Sequence, residues 1–465
     1  MVLIIKRFGD KQNVSLKWDY RSPQPFLPVL SYRIAHALAY NIPSHIFLVK
    51  RAVMTTLRER FLRYVKIYTT SDPHSKSYPS TERQWDLLKL LQSELTSIGA
   101  SDVEITAHGY VLATIPATPG YEHVPVVAFL AHVDTAPDFS GDGVKPIIHA
   151  NYDGRVIVLP DDPRQVIDPN NPMYANILTA LGKDIITASG TTLLGADDKA
   201  GIAIIMTAAQ QLLSDTSIPH GKIRICFNPD EEVGHGVDHL DIAHLGASAA
   251  YTFDGGAVGE VSWETFSADG AVVEITGVST HPGTAHDYGM VNAVHLAGKL
   301  LGMLPREFAA PESTTGRVGF IHPTNIEGNT AAATVRFIIR DHDNEKLAAK
   351  GRALQLICEA LQASYPTSSV RCTISSSYRN MGYWLRDRPE IMDKLRAACA
   401  DAGVVSYDEP VRGGTDGSRL TERGLPTPNV FTGGHNAHGP LEWVAVQDMQ
   451  RGVDVMIALA KRWAM

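Results

Sequence analysis

The apolar positions of this chain change period along its length. After Met54, "LRERFLRYVKIYTT" places Leu57, Phe61, Leu62, Val65 and Ile67 broadly on one side of a helix. "STERQWDLLKLLQSELTSIGA" repeats helical spacing between a capping Ser/Thr and a stopping glycine. "VEITAHGYVLATIP" and "VPVVAFLAHVDTAP" then read as strands, "KAGIAIIMTAAQQLLSD" as a helix, and "KIRICF", alternating Ile223, Ile225 and Phe227, as another strand. Strands alternating with helices predict an α/β domain with a mostly parallel central sheet. After about residue 265 the order becomes β-α-β-α-β, from "AVVEITGVSTH" to "SSVRCTISSSY", which predicts a compact inserted α+β lid. "PEIMDKLRAACADAG" and "PTPNVFTGG" return the chain to the first domain. The expected division is 54–266 and 376–465 for the main domain, 267–375 for the insertion, and 1–53 for an N-terminal extension that is poorly ordered.

Composition narrows the class. A chain of 465 residues, 44% hydrophobic and 20% charged, has material for two or three domains with a substantial core. A net charge of −8 argues against nucleic acid as a partner, and no apolar run reaches the ~20 residues of a membrane span. Cys226, Cys358, Cys372 and Cys399 lack CxxC spacing and read as buried thiols in a reducing, cytoplasmic setting. The first 53 residues carry eight Lys/Arg against Asp10 and Asp19, yet "SPQPFLPVL" lacks the apolar core and cleavage site of a signal peptide. Met54 is the expected natural start.

The acids and histidines gather where the strands end. "AHVDT" carries His132 and Asp134, whose period of two puts both on one face, so that Asp134 can orient the imidazole. "LLGADDKAG" brings Asp197 and Asp198, "FNPDEEVG" Glu231 and Glu232, "YTFDGG" Asp254, and "GGHNAHGPLEW" His435 and His438. Ligands of an open parallel sheet bind outside the carboxyl ends of its strands. So much negative charge in one crevice repels itself unless cations sit there, and histidines mixed with carboxylates suit zinc, with manganese or cobalt as substitutes. "GDGVKP" lacks the last glycine of a dinucleotide loop and "GADDKAG" is no P-loop. His235 and His239, four apart, could chelate on a helix, but without HExxH they read as a solvated face.

Taken in order, HVDTAPDFSG, TTLLGADDKAG, NPDEEVG, YTFDGG, STHPGTA, GNTAAATVRFIIRDHD, RGGTDGSRL and GGHNAHGPLEW resemble the peptidase T family. These are tripeptide aminopeptidases within the superfamily of two-zinc exopeptidases that includes carboxypeptidase G. The resemblance runs from about Met54 to the C-terminus. It implies Asp197 as the carboxylate bridging two zincs, His132 and Asp254 as the other ligands of one metal, and Glu232 and His438 as those of the second. It further implies Asp134 as the support of His132, Glu231 as general base, and a non-proline cis peptide between Asp197 and Asp198. His281, in STHPGTA, is implied to reach the active site of a partner subunit, hence a homodimer.

An aminopeptidase limited to short peptides needs a clamp for the far carboxylate, and the planar fork of arginine suits it. Arg340 and Arg412 are the candidates, with Asn329 as a polar helper; Arg340 could instead pair with Asp341 or Asp343. The glycines of RGGTDG match a substrate loop of the family. The same metal motifs serve carboxypeptidases, dipeptidases and N-acyl amino acid deacylases, and a non-catalytic peptide-binding relative would differ by a lost ligand or base. The aspartate in YTFDGG is, within the superfamily, more typical of aminopeptidases.

Overall fold

The computed structural model describes residues 55–465. The expectations for residues 1–53 lie outside them. Eight strands lie side by side in the order Ser101–Ile105, Val111–Ile115, Ile223–Asn228, Val127–His132, Ala249–Gly255, Asn429–Phe431, Glu260–Ser262 and Tyr407–Asp408. The four from Ile223–Asn228 to Asn429–Phe431 are mutually parallel, so their carboxyl ends open on one edge. Every residue of Val127–His132 and of Ile223–Asn228 is buried, as a parallel strand covered on both faces requires. Val127, Phe129 and Ala131 face one core, with helices Ala196–Ser214, Pro389–Asp401 and Val446–Trp463. Ala128 and Leu130 face the other, with Leu112, Cys226, Leu240 and Leu420. The mostly parallel sheet is the one the alternating strands and helices predict.

Between its strands Glu260–Ser262 and Tyr407–Asp408, the chain builds a second, antiparallel sheet of Phe320–Gly328, Ala332–Asp341, Ser267–Thr276 and Ser369–Tyr378, in that order. Ala271, Val273 and Ile275 alternate inward to meet Val335, Phe337 and Ile339 and the helices Ala293–Gly302 and Asn344–Ser364. The strand Phe320–Gly328 is absent from the β-α-β-α-β expectation. Its Pro323 sits beside a break in register on an edge strand, where a missing N–H costs least. The unit joins the main domain through a buried polar knot. Thr265 N donates to Asn380 Oδ1 at 3.0 Å, Asn380 N to Ser267 Oγ at 2.9 Å, and Asn380 Nδ2 to the His342 carbonyl at 2.9 Å.

Two local expectations are corrected. The helix after Met54 covers only Leu57–Tyr64, opened by a capping box in which Thr56 and Glu59 exchange hydrogen bonds. The next helix is Gln84–Ser97; its N-cap position is Arg83, which offers no capping oxygen, and Ser80 is engaged by Asp230 instead. Of the cysteines, Cys226, Cys358 and Cys399 are buried, Cys372 is half-buried, and all four are free. No helix among the described residues is long and apolar enough to cross a membrane.

The helix Ala196–Ser214 packs so closely on the sheet that a methyl group at Gly201 would lie 2.0 Å from the Phe253 carbonyl oxygen. Gly201→Ala is therefore expected to lower stability by about 3 kcal/mol or more, read as the urea midpoint. A change below about 0.5 kcal/mol would show that this contact relaxes freely.

Candidate active site

Each acid at the sheet edge is placed by its own local device. His132 is the last residue of its strand and is 2% exposed. Asp134 follows two residues on, its Oδ1 3.4 Å from His132 Nδ1 and its carbonyl oxygen 3.1 Å from the same nitrogen. The Asp134 carboxylate also reaches the neighbouring strand end, where Oδ1 accepts from Glu231 N at 3.0 Å and Oδ2 from Glu232 N at 3.2 Å. One buried carboxylate thus aligns an imidazole on one strand and the acidic turn of the next.

That turn is not extended. Asp230 has φ 60° and is buried, and residues 231–234 form a tight turn. Asp230 has no role assigned by sequence, and the structure supplies one. Its carboxylate accepts from Ser80 N at 2.6 Å, Ser80 Oγ at 2.5 Å and Gln84 Nε2 at 2.7 Å, locking the turn to the Gln84–Ser97 helix. The first of the three acids in FNPDEEVG is an anchor, and it leaves Glu231 and Glu232 to face the crevice.

The peptide bond between Asp197 and Asp198 is cis, as the resemblance implies. Asp197 faces two ways: Oδ1 lies 3.0 Å from His132 Nε2, and Oδ2 lies 3.5 Å from His438 Nε2. Asp254 Oδ1 approaches the same His132 nitrogen at 3.5 Å, and Glu232 Oε2 the same His438 nitrogen at 3.0 Å. Asp198 accepts from His132 N at 3.2 Å and Gly201 N at 3.2 Å, and it keeps an oxygen within 4.8 Å of ligand atoms of His132 and Asp254. His438, at φ 64°, is brought to the cluster, whereas its rival His435 stacks on Trp443 with ring centroids 4.1 Å apart. Glu442 does not touch His438. It holds the loop before Asp197, accepting from Leu194 N at 2.8 Å, Gly195 N at 2.7 Å and Asp197 N at 3.0 Å.

The electrostatics are those of crowded acids. Burial and the Asp254 charge push the Glu231 carboxyl well up. Burial, helped by Asp197, pushes Glu232 up to about 8, and burial carries Asp254 to about 6 and Asp416 to about 7. Burial alone would lower His132, but hydrogen bonds to Asp134, Asp197 and Asp254 outweigh it and raise it well above the ordinary value. Asp197 and Glu232 together push His438 up to about 11. Lys199, buried beside them, falls to about 7 and donates to the Ile67 carbonyl at 2.9 Å.

A cavity of about 400 Å³ opens on the cluster, lined by Glu231, Glu232, Tyr378, Gly414, Asp416 and Arg419 among others. A smaller one of about 280 Å³ lies on its other side, against Gly255, Gly256, Thr432 and Asn436. Sequence patterns alone single out neither Asp416 nor Arg419, although RGGTDGSRL carries both. Arg412 Nη1 donates to the carbonyls of Gly316 at 2.6 Å and Val318 at 2.9 Å, and Nη2 to Thr314 Oγ1 at 2.9 Å. With its fork committed to a neighbouring loop, it lines neither of these two cavities. Arg340 pairs with neither Asp341 nor Asp343; Nη1 donates to the Asp269 and Ile339 carbonyls, and the guanidinium lies 5.7 Å from the centre of the Tyr378 ring. Asn329 sits exposed at the opposite end of the strand that carries Arg340, and His281 is exposed with Nδ1 accepting from Gly283 N at 3.1 Å. Neither lines the larger cavity. His235 pairs with Asp238 at 2.7 Å while His239 stacks on His108, so the two do not converge.

A sheet of this order with acids and imidazoles meeting at its carboxyl edge is the architecture of a metallopeptidase class, and comparison places the chain within it. A model of peptidase family M20/M25/M40 matches residues 192–462. The chain belongs to this family. A peptidase T of Geobacillus thermodenitrificans is 42% identical over 405 residues, spanning 87% of this chain and 97% of the relative. Among solved structures, aminopeptidase PepT from Bacillus cereus superposes with a TM-score of 0.67 at 23% identity, covering 88% of this chain and 98% of that one. A dinuclear metal binding peptidase from Bacillus subtilis gives 0.60 at 16% identity, covering 87% and 96%.

Glu442→Ala removes the acceptor of three backbone N–H groups at once, so we expect a loss of about 3 kcal/mol or more in chemical denaturation. A loss below about 1 kcal/mol would mean that water replaces the carboxylate there.

Proposed function

We propose that this chain is a metal-dependent aminopeptidase that releases the N-terminal residue from short peptides, foremost tripeptides, at a site holding two zinc ions. The observation that carries the reading is the two-sidedness of Asp197, whose oxygens each face a different histidine, each histidine having its own second carboxylate. Asp197, His132 and Asp254 would hold one ion, and Asp197, Glu232 and His438 the other. The donor set fits. Two imidazoles with three carboxylates suit zinc, Glu232 Oε1 is buried without a hydrogen-bond partner, and imidazoles drawn toward their cationic form mark a cluster that demands positive charge. The relatives named peptidase T support the substrate class.

Bound there, the ions supply the Lewis acidity that brings water from a pKa of about 15.7 toward about 7. The residues do the rest. Glu231, which lines the cavity beside Glu232, is placed to accept a proton from the attacking water and to return it to the amine as the peptide C–N bond breaks. Asp134 fixes Glu231 and His132 through Oδ1 and Glu232 through Oδ2. His281, exposed and absent from the cavity lining of its own chain, is assigned to the site of a partner subunit, which makes the working form a homodimer through the 267–375 insertion; Asn329 keeps the role of polar helper in substrate binding. Residues 54–266 and 376–465 then form the catalytic domain. The free thiols support a cytoplasmic location.

Mass spectrometry of Leu-Gly-Gly and its N-acetylated form, incubated with zinc-loaded protein, tests the activity. Leucine should appear from the free peptide alone. Loss of the acetyl group, or of the terminal glycine, would move the function to the deacylase or carboxypeptidase branch. Glu231→Ala should keep fold and metal content while kcat falls by about 10²–10⁴; substantial remaining turnover would show that another group is the base.

A further inference from the structure

The insertion holds a pair of thiols for which the peptidase reading has no use. Cys358 lies on the helix Asn344–Ser364 and Cys372 on the strand Ser369–Tyr378, and the helix packs directly on that strand. Leu347, Gly351, Leu354, Cys358 and Leu361 form the buried face of the helix. On the strand, Val370, Cys372 and Ile374 alternate inward toward the same core, with Cys372 opposite the buried Val273 in register. Two contacts fix how the elements lie along each other. A methyl group at Gly351 would lie 3.0 Å from Ile374 Cδ1, and Gln362 Oε1 accepts from Val370 N at 2.8 Å. Cys358 stands between Gly351 and Gln362 on the helix, and Cys372 between Ile374 and Val370 on the strand. Helix and strand run antiparallel, so this register brings the two thiols together.

The two sulfurs differ as a disulfide-forming pair requires. Cys358 is 2% exposed, whereas Cys372 is half-buried on an edge strand of its sheet. The hydrogen bond between them holds the Cys372 thiol below its ordinary value and, with burial, pushes Cys358 up. Cys372 is therefore the one to meet an oxidant, and Cys358 the one to resolve the product. Cys226 and Cys399 sit apart, wholly buried in separate cores of the main domain. Burial pushes both of those thiols up, Cys399 to about 11.

We propose that Cys358 and Cys372 form a reversible modification site, joined as a disulfide by hydrogen peroxide and opened again by a dithiol. Cys372 Sγ, having given up its proton, attacks one peroxide oxygen. The S–O bond forms as the O–O bond breaks, and the departing hydroxide takes up that proton to become water. Cys358 Sγ then attacks Cys372 Sγ; the S–S bond forms, the S–O bond breaks, and the hydroxyl leaves with the Cys358 proton as a second water. Two thiols and one peroxide thus give one disulfide and two waters. The bond ties the helix to the strand whose far end carries Tyr378 to the wall of the larger cavity. The assignment is independent of the metal site and of the peptidase reading. The alternative is that the two sulfurs only fill space in the core.

Arg371 separates the two cysteines, so trypsin places them in different peptides, 353–371 and 372–379. The test exposes reduced full-length protein to hydrogen peroxide and blocks its remaining thiols with iodoacetamide under denaturing conditions. Mass spectrometry then reads the tryptic digest with and without dithiothreitol. The two peptides should be recovered mostly as one joined species that dithiothreitol separates, while Cys226 and Cys399 are recovered alkylated. In Cys358→Ala the Cys372 sulfenic acid should persist and take up dimedone, which wild type should not. In Cys372→Ala, Cys358 should stay free for alkylation. If either variant fails to fold, the wild-type digest decides alone. Recovery of both wild-type peptides alkylated after peroxide overturns the proposal, and so does oxidation of Cys226 or Cys399 ahead of this pair.

Discussion

The structure depends on how buried carboxylates are neutralised at the open edge of a parallel sheet. Burying an anion without a partner is among the costliest things a fold can do, and here several lie within a few ångströms of one another. The chain meets that demand in two ways. Asp134, Asp198, Asp230 and Glu442 accept backbone N–H groups, so their charge becomes part of the scaffold. Asp197, Glu232 and Asp254 are left facing imidazoles. The division separates residues that build the crevice from those with binding capacity left over, and it does so without reference to any relative.

Much of this was legible in the sequence because it is local. His132 and Asp134 stand two apart at the end of an apolar strand, and Asp197 precedes a helix; strand ends and helix starts can be read from short windows. What could not be read is whatever depends on two distant segments meeting. Nothing in FNPDEEVG says that Asp230 will be held by Ser80 and Gln84, about 150 positions away. Glu442 poses the same difficulty: it stands four residues after His438 in sequence, yet its carboxylate holds the loop before Asp197. Arg412 and Arg419 share one motif and one chemistry, and only the direction of each guanidinium separates a loop brace from a cavity wall. The strand Phe320–Gly328 was hidden by its proline.

The inserted unit depends on a different balance. Its sheet and two helices close their own apolar core, separate from that of the main domain. The insertion therefore carries its own cohesion, and its exposed loops, His281 and Asn329 among them, take no part in that core.

The knot of Thr265, Ser267, His342 and Asn380, where the chain crosses into that unit and returns, gives the joint a particular mechanical character. Apolar contacts tolerate sliding, since dispersion changes little as surfaces slip past each other; hydrogen bonds weaken steeply once bent. A joint made of short polar bonds in a dry interior behaves as a latch with discrete positions. Any reorientation of the insertion has to exchange this set of bonds for another complete set or leave polar groups stranded. The orientation of the insertion is thereby quantised by a few side chains at the joint.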